Sequence, residues 1–208
     1  MTPSTPKIIL FTRYPVPGAA KTRLIPALGD HGAAALQKRM TERIAAELTK
    51  LPVHVAKEIW FEGAALREME AWLGSSHILR QQPQGELGAR MREVMRQSFS
   101  EGCCPLIFIG ADCPTLLSEH LLIALGQLHR TDVVIGPAND GGYYLIGMRR
   151  HVPALFENIP WGGPQVLART CEQAERLGLG VALLPIRNDI DRPEDLARLP
   201  AFLREATV

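Results

Sequence analysis

Short apolar runs alternate along this chain with longer segments whose apolar residues recur at every fourth position, and that alternation restricts the fold more than any other feature. Lys7 to Thr12 is a run of the first kind, fit for a buried strand, and the Pro- and Gly-rich stretch Tyr14 to Ala20 after it reads as a stiff loop. From Asp30, a candidate N-cap, the positions Leu36, Met40, Ile44 and Leu48 mark one face of a long helix. Val53 to Phe61 reads as a second strand, Ala64 to Leu73 as a helix and His77 to Arg80 as a short third strand. Leu87, Met91, Met95 and Phe99 again step by four and lead into Pro105 to Gly110, the clearest buried strand of the chain. A helix over about Glu119 to Leu128 precedes two strands, Asp132 to Gly136 and Tyr143 to Met148. Their short connection through Asn139, Asp140, Gly141 and Gly142 suits antiparallel pairing. A helix over about Pro164 to Leu177, a strand at Val181 to Pro185 and a final helix from about Pro193 complete the pattern.

Strands that alternate with helices predict an α/β protein: three layers, α/β/α, around a mostly parallel mixed sheet with one antiparallel element. Ligands of such sheets sit beyond the carboxyl ends of the strands, near a switch point, so the chemistry is expected in the loops that follow strands. A chain of 208 residues is long enough for one substantial core, and no internal repeat or linker divides it, so one domain over residues 1–208 is expected. A net charge of +1 gives no global field to gather nucleic acid or an anionic membrane, so phosphate binding must be local. No apolar run approaches the ~20 residues of a membrane span, and the start MTPSTPKIILFTR lacks a basic leader. The four cysteines show neither zinc-site pairing nor disulfide density and read as reduced thiols, which points to the cytoplasm.

The loop after the first strand gathers three cations, Arg13, Lys21 and Arg23, around Pro15, Pro17 and Gly18. The prolines stiffen it, Gly18 permits close backbone approach, and the cations suit a polyphosphate, although the GxxxxGK[ST] pattern is absent. A solvated Pro-rich surface loop is the alternative. Asp112 stands at the end of the strand Pro105 to Gly110, where a carboxylate beside phosphate-binding cations suits Mg²⁺ held partly by substrate oxygens. Its alternative is an N-cap or turn before the helix near Ser118. Asp189 and Asp191 share one side of an extended segment and either is a candidate second ligand, while Asp191 is equally placed to cap the last helix. Asp140, beside Gly141, Gly142, Tyr143 and Tyr144, can approach an acceptor hydroxyl or form a turn with core tyrosines, and Trp161 is either a core anchor or a substrate platform.

Five of these segments, in order, resemble the GT-A-like nucleotide-diphospho-sugar transferases, and within them a bacterial family of glycosyltransferases of the arsenosugar-biosynthesis type or of unknown function. The residues that carry the likeness are Phe11, Arg13, Pro15, Gly18 and Lys21 to Leu24; Gly85, Leu87, Gly88, Arg90 and Met91; Gly110 to Asp112 with Pro114; Gly136 to Gly147; and Asp189 to Leu196. The resemblance implies a nucleotide site of Arg13, Gly18, Lys21, Arg23, Gly85, Leu87 and Arg90, a metal site of Asp112 and Asp191, and an acceptor site of Asp140, Gly141, Gly142, Tyr143 and Trp161. Lys21, Asp112 and Asp140 are the expected catalytic residues, Mg²⁺ or Mn²⁺ the expected ion, and a nucleotide sugar with a small-molecule acceptor the expected substrates. Glu86 stands where the family has Asp, and Gly162 and Gly163 where it has Ser or Thr, which bears on the acceptor more than on the fold. Related nucleotidyltransferases share the lysine loop and the aspartate, so release of pyrophosphate from an NTP is the second reading. A nucleotide-binding subunit without turnover is the third, and a homodimer is the base-rate assembly.

Overall fold

Alternate residues of the first strand, β1 (Thr5–Arg13), commit to opposite faces of a sheet: Ile8 and Leu10 join one fully buried cluster and Ile9 another. The computed structural model describes residues 5–204. Residues 1–4 and 205–208, which the single-domain expectation and the reading of the chain's start include, lie outside the described residues. β2 (Ala56–Glu62), β3 (Ile78–Gln81), β4 (Cys103–Gly110), β5 (Val133–Pro137), β6 (Tyr143–Met148) and β7 (Val181–Leu183) complete a seven-stranded sheet ordered β3-β2-β1-β4-β6-β5-β7. β6 runs antiparallel to both β4 and β5 and the other pairings are parallel, as the sequence predicts.

Helices cover both faces. On one side α1 (Ile25–Thr49) and α4 (Ser118–Gln127) bury Ile44, Leu48, Leu121 and Ala124 against Ile8, Leu10, Ile107 and Ile109, with α2 (Leu66–Leu73) beside them. On the other, α3 (Leu87–Ser100) and α5 (Val166–Arg176) bury Met91, Val94, Met95 and Ala174 against Ile9, Phe108, Ile135 and Ile146. Each fully buried aliphatic side chain of these clusters contributes roughly 1.5–3 kcal/mol relative to exposure. A third, smaller cluster joins α1 to Ile190, Leu199 and Leu203, the last in the short α6 (Ala201–Arg204).

Three of the boundaries that differ from expectation have a physical cause. α1 begins at Ile25 with Pro26 in its first turn, and Gly29, at φ 68°, interrupts it just before the expected cap at Asp30. Residues 52–55 form a turn closed by Val55 N–H to the Pro52 carbonyl, with Val53 almost fully exposed, so β2 starts three residues late. The expected last helix is a 3-10 segment, Pro193–Arg198, ended before Pro200. Asp191 does not cap it: the Asp195 carboxylate reaches back to accept from the Asp191 and Arg192 amides at 3.1 and 2.8 Å.

Candidate functional site

The chain runs outward from β1 to β3 and returns to β4 beside β1, so the switch point of the sheet lies between the carboxyl ends of β1 and β4. Arg13 ends β1 there, and Asp112 follows Gly110, the last residue of β4. Beyond these ends a cleft of about 450 Å³ is lined by Arg13, Lys21, Arg23, Glu62, Arg90, Asp112 and Asp191, with Phe11, Leu87 and Gly110 among its other walls.

Lys21 joins three distant segments. It adopts left-handed backbone geometry at φ 49°, which swings its side chain inward, where only 4% remains exposed. Its Nζ lies 3.0 Å from Asp112 Oδ1 and 3.3 Å from Asp191 Oδ1, and donates to the Ile190 carbonyl at 2.6 Å. Burial opposes its charge, but the two carboxylates outweigh burial and raise its pKa above the usual lysine value. Asp191 feels the same balance in reverse: burial pushes it up, while Lys21 and Arg23, the latter at 2.6 Å, hold its carboxyl below the ordinary range.

The far wall is a second charge network. Glu62, at the end of β2, accepts from Arg13 Nε and Nη2 at 2.9 and 2.7 Å and from Arg90 Nη1 at 2.8 Å. Gln82, just past β3, accepts from Arg90 at 2.7 Å and donates to the Thr12 and Trp60 carbonyls at 3.0 and 2.9 Å. Neither Glu62 nor Gln82 belongs to a local motif. The signal that could have found them is positional, since both end parallel strands on the ligand side of the sheet.

Two further chambers meet the first at its carboxylates. One, of about 200 Å³, is mainly apolar and shares Asp112 with the cleft. The other, of about 350 Å³, is lined by Asn139, Asp140, Asp189, Asp191 and Glu194. Asp189 lines both of these chambers, makes no hydrogen bond among the described residues, and keeps its Oδ1 buried without a partner. Burial, then the neighbouring charges of Asp112, Asp140 and Asp191, push its carboxyl up to about 8 against the opposing pull of Lys21.

The expected nucleotide residues Arg13, Lys21, Arg23, Leu87 and Arg90 therefore share the cleft, while Gly18 and Gly85 do not line it. Both glycines have positive φ, at 80° and 116°, and serve as turn residues beside it. The expected acceptor residues divide. Asp140 faces the 350 Å³ chamber, with its Oδ1 accepting from Gly142 N–H at 2.8 Å, and Tyr143 lines the apolar one. Gly141 is held by geometry, at φ 88° and with the Pro164 carbonyl where a Cβ would stand. Trp161 lines none of the three chambers and packs edge-on against Tyr143 and tilted against Phe156, over Gly88, the packing of a core anchor.

Among the described residues no group of three or more His, Cys, Asp and Glu side chains is gathered tightly enough to hold an ion alone. The donor set nevertheless fits a hard divalent cation that shares its coordination with a substrate. Asp112 and Asp191 present carboxylate oxygens to one ammonium, and the Asp189 Oδ1 beside them is buried without a partner.

Residues 44–163 match the family described as "Uncharacterized protein conserved in bacteria (DUF2064)". The chain belongs to this family. A crystal structure of a candidate nucleotide-diphospho-sugar transferase from Desulfovibrio desulfuricans G20 superposes on the DUF2064 chain with a TM-score of 0.88 at 34% identity, covering 99% of this chain and 93% of the other. The 4-diphosphocytidyl-2C-methyl-D-erythritol synthase of Anaerococcus prevotii DSM 20548 superposes with a TM-score of 0.65 at 10% identity, covering 97% of each chain. A CMP:2-keto-3-deoxy-manno-octonic acid synthetase complexed with CTP gives 0.57 at 14%, covering 94% of this chain and 96% of the other. These two likenesses concern the fold, which is that of the nucleotide-diphospho-sugar transferases. No curated protein matches the DUF2064 chain. No helix of the described residues is long and apolar enough to cross a membrane.

Proposed function

We propose that this chain is a metal-dependent glycosyltransferase that takes a nucleotide-diphosphate sugar and transfers the sugar to a hydroxyl of a small acceptor. The observation that carries this reading is the buried Lys21 ammonium, held at the switch point between Asp112 and Asp191 in a cleft with three guanidinium groups. Lys21 and Arg23 bind diphosphate oxygens, Lys21 as a compact charge and Arg23 as a planar fork. Arg13 and Arg90 form the opposite wall, beside Phe11 and Leu87.

The lining holds four cations against three carboxylates, Glu62, Asp112 and Asp191. That single excess positive charge is less than a diphosphate carries, and a divalent ion makes up the difference. A Mg²⁺ or Mn²⁺ ion on Asp112 and Asp191 would supply Lewis acidity to the departing diphosphate. The acceptor oxygen bonds to the anomeric carbon, the bond from that carbon to the diphosphate oxygen breaks with its electron pair, and the hydroxyl proton leaves to solvent or a carboxylate. Asp140, exposed on the 350 Å³ chamber, is the candidate carboxylate for that proton.

Nucleotidyl transfer is the second reading, favoured by the four cations of the cleft, which also suit a triphosphate. Product analysis separates the two. The protein is incubated with Mg²⁺, a panel of NDP-sugars or NTPs, and small hydroxylated acceptors. Release of nucleoside diphosphate from an NDP-sugar supports glycosyl transfer, and release of pyrophosphate from an NTP refutes it in favour of nucleotidyl transfer.

A further inference from the structure

The apolar chamber opens off the nucleotide cleft, with which it shares Phe11, Leu87, Gly110 and Asp112, and its remaining walls carry no cation. Phe11, Met91, Phe108, Tyr143 and Ile146 are among its walls, and its carboxylates are Asp112, shared with the phosphate-binding cleft, and Asp189. A cavity lined by aromatic and aliphatic side chains beside an anionic reaction centre disfavours phosphate and sugar alike, since neither's polar groups would find partners there. It favours an apolar body. Its volume of about 200 Å³ matches roughly seven molecules' share of liquid water at ~30 Å³ each, so the body it admits is small, on the order of a single ring.

The second observation is Asp189. A carboxyl group that is largely buried and yet has no hydrogen-bond partner in the fold is a rare arrangement, and here it lines the chamber. Its free acceptor capacity suits one hydroxyl.

We propose that this chamber is the acceptor subsite, and that it takes a small alcohol with an aromatic or aliphatic body whose hydroxyl donates to Asp189. The proposal rests on the transferase reading for the word acceptor, and it gives that acceptor a chemical class. The hydroxyl on Asp189 stands beside Asp112, where the cleft and the chamber meet, and is thereby presented to the donor.

Methionine-methyl NMR tests it on the whole protein, because Met91 lines this chamber and not the nucleotide cleft. The probes are benzyl alcohol, toluene and glycerol, with the Met91 signal assigned from Met91→Leu. Benzyl alcohol is expected to shift the Met91 methyl and to bind about tenfold more tightly than toluene, which lacks the hydroxyl, and at least about tenfold more tightly than glycerol. Asp189→Leu should remove the difference between benzyl alcohol and toluene, and Met91→Phe, with its melting temperature checked, should weaken both apolar probes. No shift of Met91, or equal binding of benzyl alcohol and toluene to the wild type, overturns the proposal. So does displacement of benzyl alcohol by a nucleoside diphosphate, which would make the chamber a nucleobase pocket. Calorimetry on the same sample with nucleoside diphosphates and Mg²⁺ distinguishes the failures: nucleotide binding without the Met91 response sinks only the acceptor class, and the Met91 response without nucleotide binding sinks the transferase reading.

Discussion

Replacing Glu47 by Gln should loosen the join between the helix that starts beside the Lys21 loop and the helix that follows Asp112. The Glu47 side chain, only 2% exposed, accepts from Lys50 at 2.6 Å, from Arg43, and through its other oxygen from the Ser118 amide at 2.9 Å. Burial alone would raise its pKa; Lys50, the Ser118 amide and Arg43 together reverse this and hold it at about 2, from 4.5. At 1.36 kcal/mol per unit the shift corresponds to about 3 kcal/mol. Arg43 and Lys50 are themselves 26% and 57% exposed, so solvent screening reduces this to roughly 2 kcal/mol. The folded pKa lies below the unfolded one, so this stability is fully present above pH 4.5 and is lost as the pH falls toward 2. Urea unfolding of wild type and Glu47→Gln should therefore differ by roughly 2 kcal/mol at pH 7, with roughly two fifths of the difference gone by pH 3.5. A variant as stable as the wild type at pH 7, or a difference that does not shrink with acid, would refute the reasoning.

Three further outcomes follow from the geometry. Lys21→Met should weaken nucleoside diphosphate binding by about 10- to 100-fold in calorimetry while leaving a nucleoside unaffected, because it removes a charge-assisted phosphate contact; equal losses would show that Lys21 does not touch phosphate. Gly141→Ala should lower stability by more than about 2 kcal/mol in thermal unfolding, since it combines a strained positive φ with a clash against the Pro164 carbonyl. Trp161→Leu should also lower the melting temperature, by the loss of roughly 2 kcal/mol of half-buried aromatic packing, without changing nucleotide affinity; an affinity change with an unchanged melting temperature would restore Trp161 as a substrate platform.

Much of the architecture is written in local pattern. The apolar runs at Lys7 to Thr12 and Pro105 to Gly110 became the two strands that flank the switch point, and the turn at Asn139 to Gly142 does pair its strands antiparallel. Lys21, Asp112 and Asp191 could be named from motifs, and the fold brings both carboxylates within 3.3 Å of the Lys21 nitrogen. Glu62 and Gln82 could not, because their place in the cleft depends on the order of strands β2 and β3 and not on their neighbours in sequence. Tertiary contacts likewise decided the ends of helices. Asp195, not Asp191, supplies the cap before Pro193, and Gly29 lets the chain bend where Asp30 alone would have suggested a start. Trp161 was ambiguous because a large aromatic beside glycines reads the same whether it covers a ligand or, as here, the backbone of Gly88.

The most direct test of the central claim is a thermal-shift titration of wild type and Asp112→Asn with nucleoside diphosphates, NDP-sugars and NTPs, each with Mg²⁺, Mn²⁺ or a chelator. At a ligand concentration about 100-fold above Kd, binding adds about 2.7 kcal/mol, which for a chain of this size is roughly 5–10 °C. The account predicts such a shift for an NDP-sugar only when the metal is present, and its loss in Asp112→Asn. No shift with any nucleotide, or one that is indifferent to metal and to Asp112, would contradict it.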